Sequence, residues 1–222
     1  VQPSPELGRD LEALYDAEVA HNDASFGALL DALQARGLLE STVILFTSDH
    51  GEAFGEHRTW THGIDLYTEV VDVPMVLRLP GGALGGSRVE RVVQHIDVLP
   101  TMLGLAGIEA AGSEPGSSLL GRDTGSRHAL SYLDYWGQHG ASVVSDRWKY
   151  IHPLSFSFGA GPELFDRHSD PDESHNLIHQ RPVIAGFLAS MLREGIAARA
   201  QAAKIELDDG TRQELRALGS LD

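Results

Sequence analysis

Residues 42–52 read TVILFTSDHGE, and this stretch decides which fold we expect for the chain. The apolar and β-branched run over 42–47 follows a long helical segment that ends at Gly37, and it is typical of a buried parallel strand. Asp49 and His50 come just past the end of this run. Because α/β sheets bind ligands beyond the carboxyl ends of their strands, this position favours a chemical role for the pair. The stretch therefore predicts an α/β domain with its site at a strand end.

Asp49 and His50 are the first candidate site, as a pair of metal ligands. The aspartate supplies a hard anionic oxygen and the histidine a nitrogen, and divalent metals bind both. Gly51 lets the backbone turn tightly, and Glu52 adds another carboxylate. In the alternative, structural interpretation, Asp49 caps the loop and His50 is a histidine with satisfied hydrogen bonds. No second half of a metal site is obvious anywhere in the 222 residues.

A polar loop over residues 51–63, punctuated by glycines, carries two further histidines. His62 is the second candidate site, because a histidine here can bind an anionic oxygen or protonate a leaving group. A solvated loop histidine is the alternative interpretation of His62. For His57 a structural role is favoured.

Three other motifs have simpler explanations than catalysis or metal binding. His95 and Asp97 resemble a catalytic pair, but we expect Asp97 to be the N-cap of a helix over 98–105. Lys149 lies on an amphipathic strand, where a solvated lysine is the default. Residues 170–173 are acidic, but they lack the alternating acids and the glycine of a calcium loop, so we expect a turn started by proline.

The composition excludes several classes of function. The formal charge is −15, from 17 basic and 32 acidic residues, which argues against nucleic acid as a partner. A small anionic substrate remains compatible with this charge, because a metal ion reverses the local field. No apolar run approaches about 18 residues, so we expect no membrane-spanning segment in this chain. The absence of cysteine excludes thiolate metal sites and a cysteine nucleophile within these residues.

The pattern along the chain predicts two structural regions. Ser4 and Pro5 predict the start of the long helix that precedes the strand. A Gly/Ser-rich stretch near 109–127 indicates a boundary, so we expect an α/β part over 1–122 and a second region over 123–222. This second region is expected to be a small antiparallel sheet with one helix against it. Its predicted elements are strands near 129–132, 141–145, 148–151 and 163–166, and a helix near 182–201.

Several short segments, in a characteristic order, carry a family resemblance over most of the chain. They are residues 14–19, 23, 26–30, 37–52, 55–57, 62–63, 66–67, 73–74, 79–81, 96–103, 106–108, 116–120, 148–151, 163–166, 170–171, 173 and 176–177. In these segments the chain resembles the sulfatase family, within the alkaline-phosphatase-like superfamily. The resemblance implies the C-terminal half of an alkaline-phosphatase-like α/β sandwich, with a small subdomain of antiparallel sheet and helix. It also implies a part of a metal-dependent enzyme that hydrolyses sulfate esters.

The same resemblance implies roles for the candidate residues. Asp49 and His50 match an Asp-His or Asp-Asn pair that binds a divalent metal, usually calcium, and manganese or zinc stays possible because imidazole suits softer metals. His62 stands where many members carry a lysine, so it is expected to contact the substrate anion or to protonate the leaving group. The family's nucleophile is a formylglycine made from the cysteine of a Cys-x-Pro-x-Arg motif, and these 222 residues contain no cysteine.

These departures lead to three expectations. The chain is expected to be a C-terminal portion whose partner is the missing N-terminal half of the same enzyme, and alone it is expected to be inactive. The histidine at position 62 also occurs in relatives that act on phosphate, which leaves a phosphodiesterase or phosphoglycerol transferase as an alternative. A non-catalytic binding module that kept the fold is the third possibility.

Overall fold

The computed structural model describes residues 3–109, 116–121, 127–135, 138–153 and 161–202. Its helices are α1 (Pro5–Ala35), α2 (Thr68–Val71), α3 (Val98–Leu105) and α4 (Pro182–Ala202). Its strands are β1 (Ile44–Thr47), β2 (Ala53–Phe54), β3 (Trp60–Thr61), β4 (Met75–Arg78), β5 (Ala129–Tyr135), β6 (Gln138–Val144), β7 (Trp148–Pro153) and β8 (Glu163–Asp166). No helix within these ranges is long and apolar enough to cross a membrane.

Helix α1 starts where the sequence predicts. The Ser4 hydroxyl accepts a hydrogen bond from the amide of Leu7 at 3.2 Å, and Pro5 occupies the first turn, where its missing N–H costs nothing. The helix ends at Ala35, and Gly37, two residues later, has a φ of +69° that glycine adopts without strain. Of its 31 residues only Gly8 is buried, so α1 presents a largely uncovered surface.

Strand β1 is not the buried parallel strand that its apolar run predicts. It pairs antiparallel with β4 in a two-stranded sheet, with Ile44 opposite Arg78. Phe46 is 43% exposed and Val76, opposite it, is 59% exposed. The prediction was wrong because an apolar β-branched run shows that a strand is suited to burial, and it does not show which strand pairs with it.

The C-terminal region is a four-stranded antiparallel sheet in the order β5-β6-β7-β8, with α4 packed against one face. This confirms the predicted small antiparallel sheet with a helix. The core on this face consists of Ala141, Val143, Tyr150, Leu164, Ala185, Leu188 and Leu192. The boundary near 122 stays a prediction, because residues 110–115 and 122–126 lie outside the described residues.

The opposite face of the same sheet is also covered. Successive side chains of a strand point to opposite faces, so the neighbours of Tyr150 and Leu164 face away from α4. Ile151 and Phe165 pack there with Leu66, which belongs to the segment just before α2. The sheet is therefore buried on both faces, and its second face holds the N-terminal region that carries the candidate site.

Lys149 lies on this second face and is buried, which corrects the expectation of a solvated lysine. Its ammonium lies 2.8 Å from Oε1 of Glu173, and both side chains are 1% exposed. The same carboxylate accepts hydrogen bonds from the amide of Thr68 at 2.9 Å and from its hydroxyl at 2.8 Å. Burial lowers the pKa of Lys149, and the charge of Glu173 opposes this shift. The ion pair therefore joins β7 to the first turn of α2.

We expect Glu173→Ala to reduce the free energy of unfolding by about 3–5 kcal/mol, because it leaves the Lys149 ammonium buried and unpaired. The double variant Lys149→Met/Glu173→Ala is expected to regain much of this loss, since no buried charge remains. Urea unfolding followed by circular dichroism measures both.

The matched control is Glu40→Ala, which breaks the ion pair between Arg78 and a Glu40 side chain that is 68% exposed. We expect this change to cost less than about 1 kcal/mol. Equal losses from Glu173→Ala and Glu40→Ala would contradict the stabilising role of the buried pair.

Candidate functional site

The loop after β1 is held in one conformation by its glycine. The amide of Gly51 donates to the carbonyl of Val70 at 2.8 Å, which fixes the loop against α2. A Cβ at position 51 would collide with the carbonyl oxygen of Glu69, so that only glycine allows this close approach. The role expected for Gly51, a tight backbone path, agrees with this geometry.

Asp49 and His50 lie beside each other at the end of β1, and both are accessible. Oδ2 of Asp49 lies 3.7 Å from Nε2 of His50, with side-chain exposures of 86% and 42%. Oδ1 accepts a hydrogen bond from the amide of His50 at 3.0 Å, and this bond is the main cause that lowers the pKa of Asp49. Asp49 is therefore an ionised carboxylate whose oxygens are open to solvent.

The imidazole of His50 is oriented by its other nitrogen. Nδ1 lies 2.9 Å from the carbonyl oxygen of Gly51. A carbonyl only accepts, so Nδ1 carries a proton, and in the neutral ring Nε2 keeps its lone pair. Histidines that bind metals are commonly held in this way by a second hydrogen bond.

His95 supports the loop from a distant part of the chain. Its Nε2 donates to the carbonyl of Ser48 at 2.8 Å, next to Asp49. This contact was not predictable from the sequence, because the two residues are separated by 47 positions.

Asp97 is the N-cap residue of α3, as predicted, but its side chain makes no capping hydrogen bond to that helix. It ends a short 3₁₀ turn, His95–Asp97, and its carboxylate accepts from the amide of Gln94 at 3.1 Å. It also accepts from the amide of Ser117 at 2.8 Å and pairs with Arg127 at 3.0 Å. The structural role of Asp97 is therefore confirmed, but its carboxylate binds groups before and after α3 along the chain instead of an amide in the first turn of the helix.

The acidic run near residue 170 forms a turn, as expected. The Asp170 carboxylate accepts hydrogen bonds from the amides of Ser174 at 3.1 Å and His175 at 2.9 Å. These local bonds use the side chain to close the turn.

His62 is brought against His50 by the hairpin of β2 and β3. The two imidazole ring centroids lie 4.0 Å apart, with the planes inclined by 32°. Nδ1 of His62 lies 3.0 Å from Oε2 of Glu52, and the His62 side chain is 41% exposed. The structure therefore brings together all three candidate residues, and it adds Glu52, whose contact with His62 was not predicted.

His57 is a structural residue that anchors the same loop. Its Nδ1 lies 2.7 Å from Oε1 of Glu69, and its Nε2 lies 3.1 Å from the carbonyl of Glu173. Its ring stacks on Tyr67 at 3.7 Å. Burial alone would lower the pKa of His57, but the hydrogen bond and charge of Glu69 outweigh it, and the pKa lies above its ordinary value of 6.5.

The loop that His57 anchors is strained. His57, Arg58 and Thr61 have φ values of +49°, +61° and +71°, a region that residues with a Cβ seldom occupy. Such strain persists only where the surroundings enforce it, and it is common at functional sites. The contacts of His57 supply part of that enforcement.

A groove of about 1250 Å³ lies between α1 and the sheet of β1 and β4. Apolar residues from both sides line it, among them Val19, Phe26 and Phe46. Asp49 and His50 lie on its wall. Within the described ranges no group of three or more histidine and acidic residues is arranged to hold a metal ion.

Comparison with known proteins gives a consistent result. The family model described as Sulfatase matches residues 6–108. Arylsulfatase K of Bos taurus is 34% identical over 203 residues, an alignment that covers 83% of this chain and 36% of the relative. The chain thus spans about a third of the length of this curated relative.

Two solved structures extend the similarity to the fold. A 2-O GAG sulfatase superposes with a TM-score of 0.70 at 27% identity, covering 82% of this chain and 42% of that one. A protein in complex with its substrate D-glucosamine-2-N,6-O-disulfate also gives 0.70, at 25% identity, covering 86% and 40%. The α/β arrangement with antiparallel sheets is therefore that of a sulfatase half.

We expect the stability that His57 contributes to depend on pH. Because its pKa is raised in the folded state, the contribution is complete below about pH 6.5 and is lost as the pH rises through the folded-state value. The groups that face His57 are Glu69, Tyr67 and Glu173. His57→Asn, which tolerates a positive φ, should therefore cost more unfolding free energy at about pH 5 than at about pH 9.

Urea unfolding of the wild type and of His57→Asn across this pH range measures the difference in their unfolding free energies. His179→Asn, at an exposed histidine, is the control and should show a small cost that does not vary with pH. A cost of His57→Asn that is constant with pH, or that grows as pH rises, would contradict the charged pairing with Glu69.

Proposed function

Because the chain belongs to the sulfatase family, we propose that it is part of a metal-dependent enzyme that hydrolyses sulfate esters, and that it carries half of the metal site. The observation that carries the proposal is the meeting of Asp49, His50 and His62 at one strand end within a family-matched segment. The substrate is a small anionic ester, in keeping with an acidic charge that argues against nucleic acid as a partner.

Asp49 and His50 are the proposed metal ligands. The exposed carboxylate and the Nε2 lone pair lie side by side, and the Gly51 carbonyl holds the ring, which supports this assignment. Calcium takes six to eight oxygen ligands, so the remaining ligands would come from other residues, and manganese or zinc would suit the imidazole equally. A divalent cation at this pair would offset the negative charge of a bound sulfate.

His62 is proposed to contact the ester directly. Its ring lies against His50 and its side chain is accessible, so Nε2 can reach an oxygen of a substrate held beside the metal ligands. From this position it would hydrogen-bond the sulfate or protonate the leaving oxygen. The phosphodiesterase alternative uses the same contact, since phosphate and sulfate esters present similar oxygens.

The rest of the enzyme is proposed to pack on the uncovered side of α1 and the β1–β4 sheet. This side presents a series of exposed apolar residues: Leu7, Leu11, Leu14, Tyr15, Val19, Leu29, Phe46 and Val76. Monomeric soluble proteins seldom leave such a surface uncovered. Residues 1–122 are proposed to belong to the catalytic part and residues 123–222 to form the C-terminal subdomain. The nucleophile and the remaining metal ligands would then come from the rest of the enzyme, which packs on this apolar surface.

The metal assignment is tested by titrating the 222-residue chain with MnCl₂ and recording amide NMR spectra, because paramagnetic broadening detects binding even when a half site binds weakly. We expect the signals of residues 48–51 to broaden first. In Asp49→Asn/His50→Ala this local broadening is expected to vanish, whereas Asp146→Asn, an exposed acid in the β6–β7 turn, should leave it unchanged. Broadening that starts elsewhere, or survives in the double variant, would rule out the pair as ligands.

The folded chain by itself is expected not to hydrolyse 4-nitrophenyl sulfate or bis(4-nitrophenyl) phosphate, because it carries only half of the proposed metal site and has no cysteine to supply a formylglycine. A purified preparation, free of contaminating enzyme, is assayed with both esters in the presence of calcium or manganese. Turnover of either ester would show that this chain holds its own nucleophile and would contradict the proposed division of the site.

A further inference from the structure

The hairpin register places Glu52 and His62 opposite each other. Ala53 pairs with Thr61 and Phe54 with Trp60, so the next positions outward along the two strands are 52 and 62. Side chains of directly opposed residues in an antiparallel pair lie close together on one face. This explains the 3.0 Å contact between Oε2 of Glu52 and Nδ1 of His62.

Glu52 is also the more firmly held member of this pair. It lies between Gly51, whose backbone fits only without a side chain, and Ala53, which is 1% exposed. His62 follows Thr61, with φ +71°, and precedes Gly63, with φ +75°, on the accessible side of the loop. The carboxylate can therefore position the imidazole, because its own backbone is fixed from both sides.

The carboxylate keeps this contact at a cost. Its other oxygen, Oε1, is buried and has no hydrogen-bond partner within the described residues. A buried polar atom without a partner destabilises a folded chain. Features that break the rules of stable packing concentrate at functional sites. Among the described residues, the hydrogen bond of Glu52 goes to His62, the residue proposed to contact the substrate.

From these observations we propose that Glu52 is a positioning residue that fixes the tautomer and orientation of His62. A carboxylate only accepts, so it holds a proton on Nδ1 and turns Nε2 toward the ester, and in the ring that carries both protons the Nε2–H donates to the ester oxygen. This inference rests on the proposed role of His62. A lysine at position 62 would need no such partner, because its ammonium has no tautomers.

The test is the tautomer of His62 in the 222-residue chain, read from histidine ¹⁵N chemical shifts at about pH 9, where histidines are neutral. In the wild type we expect the Nδ1–H form to dominate. In Glu52→Gln, whose amide can accept or donate, and in Glu52→Ala, the ratio of Nδ1–H to Nε2–H should fall about tenfold. Glu52→Gln is nearly isosteric and keeps the test valid where Glu52→Ala does not fold.

Glu56→Gln is the matched control, because Glu56 lies on the same loop but accepts from the amide of Phe54. It should leave the His62 ratio at the wild-type value, so that a general loosening of the loop is distinguished from loss of the carboxylate. A wild type with mixed tautomers, or an unchanged ratio in both Glu52 variants, would overturn the proposal. The manganese titration reports on Asp49 and His50 independently, so a failure of the metal assignment and a failure of this positioning role give different results.

Discussion

The buried contact between Lys149 and Glu173 is the interaction on which the arrangement of the two regions depends. The side chain of Glu173 pairs with the ammonium of Lys149 on β7 and accepts a hydrogen bond from the amide of Thr68 in the first turn of α2. Its backbone carbonyl contacts Nε2 of His57. One residue therefore ties the C-terminal sheet to the loop that presents His62. A charge pair in a dry interior requires good geometry from all its neighbours, so it allows few alternative placements of the loop.

Much of the fold and part of the site could be predicted from local patterns. The helix start at Ser4, the four-stranded sheet and the helix behind it follow from capping residues and short alternating strands, which act over a few residues. The position of Asp49 and His50 after an apolar strand is likewise a local signal. The direction of β1 was not predictable in this way, because pairing depends on β4, which lies some 30 residues further along the chain.

The residues that prediction missed share a dependence on distant partners. Lys149 was expected in solvent because its strand alternates, but both faces of the sheet are covered, and its partner lies 24 residues away. His95 reaches Ser48 across 47 residues. Glu52 is different: once a β2–β3 hairpin is assumed, its register places residues 52 and 62 side by side, so the pair was within reach of sequence reasoning.

Helix α1 has a consequence for how this chain unfolds. With a single buried residue in 31, its hydrogen bonds are protected mainly by the helix itself, whereas the C-terminal sheet is locked between two packed layers. Segments with few tertiary contacts open at low free energy, as separate cooperative units. We therefore expect the two parts of the chain to open separately, with the amide hydrogens of α1 exchanging with solvent long before those of β6 and β7.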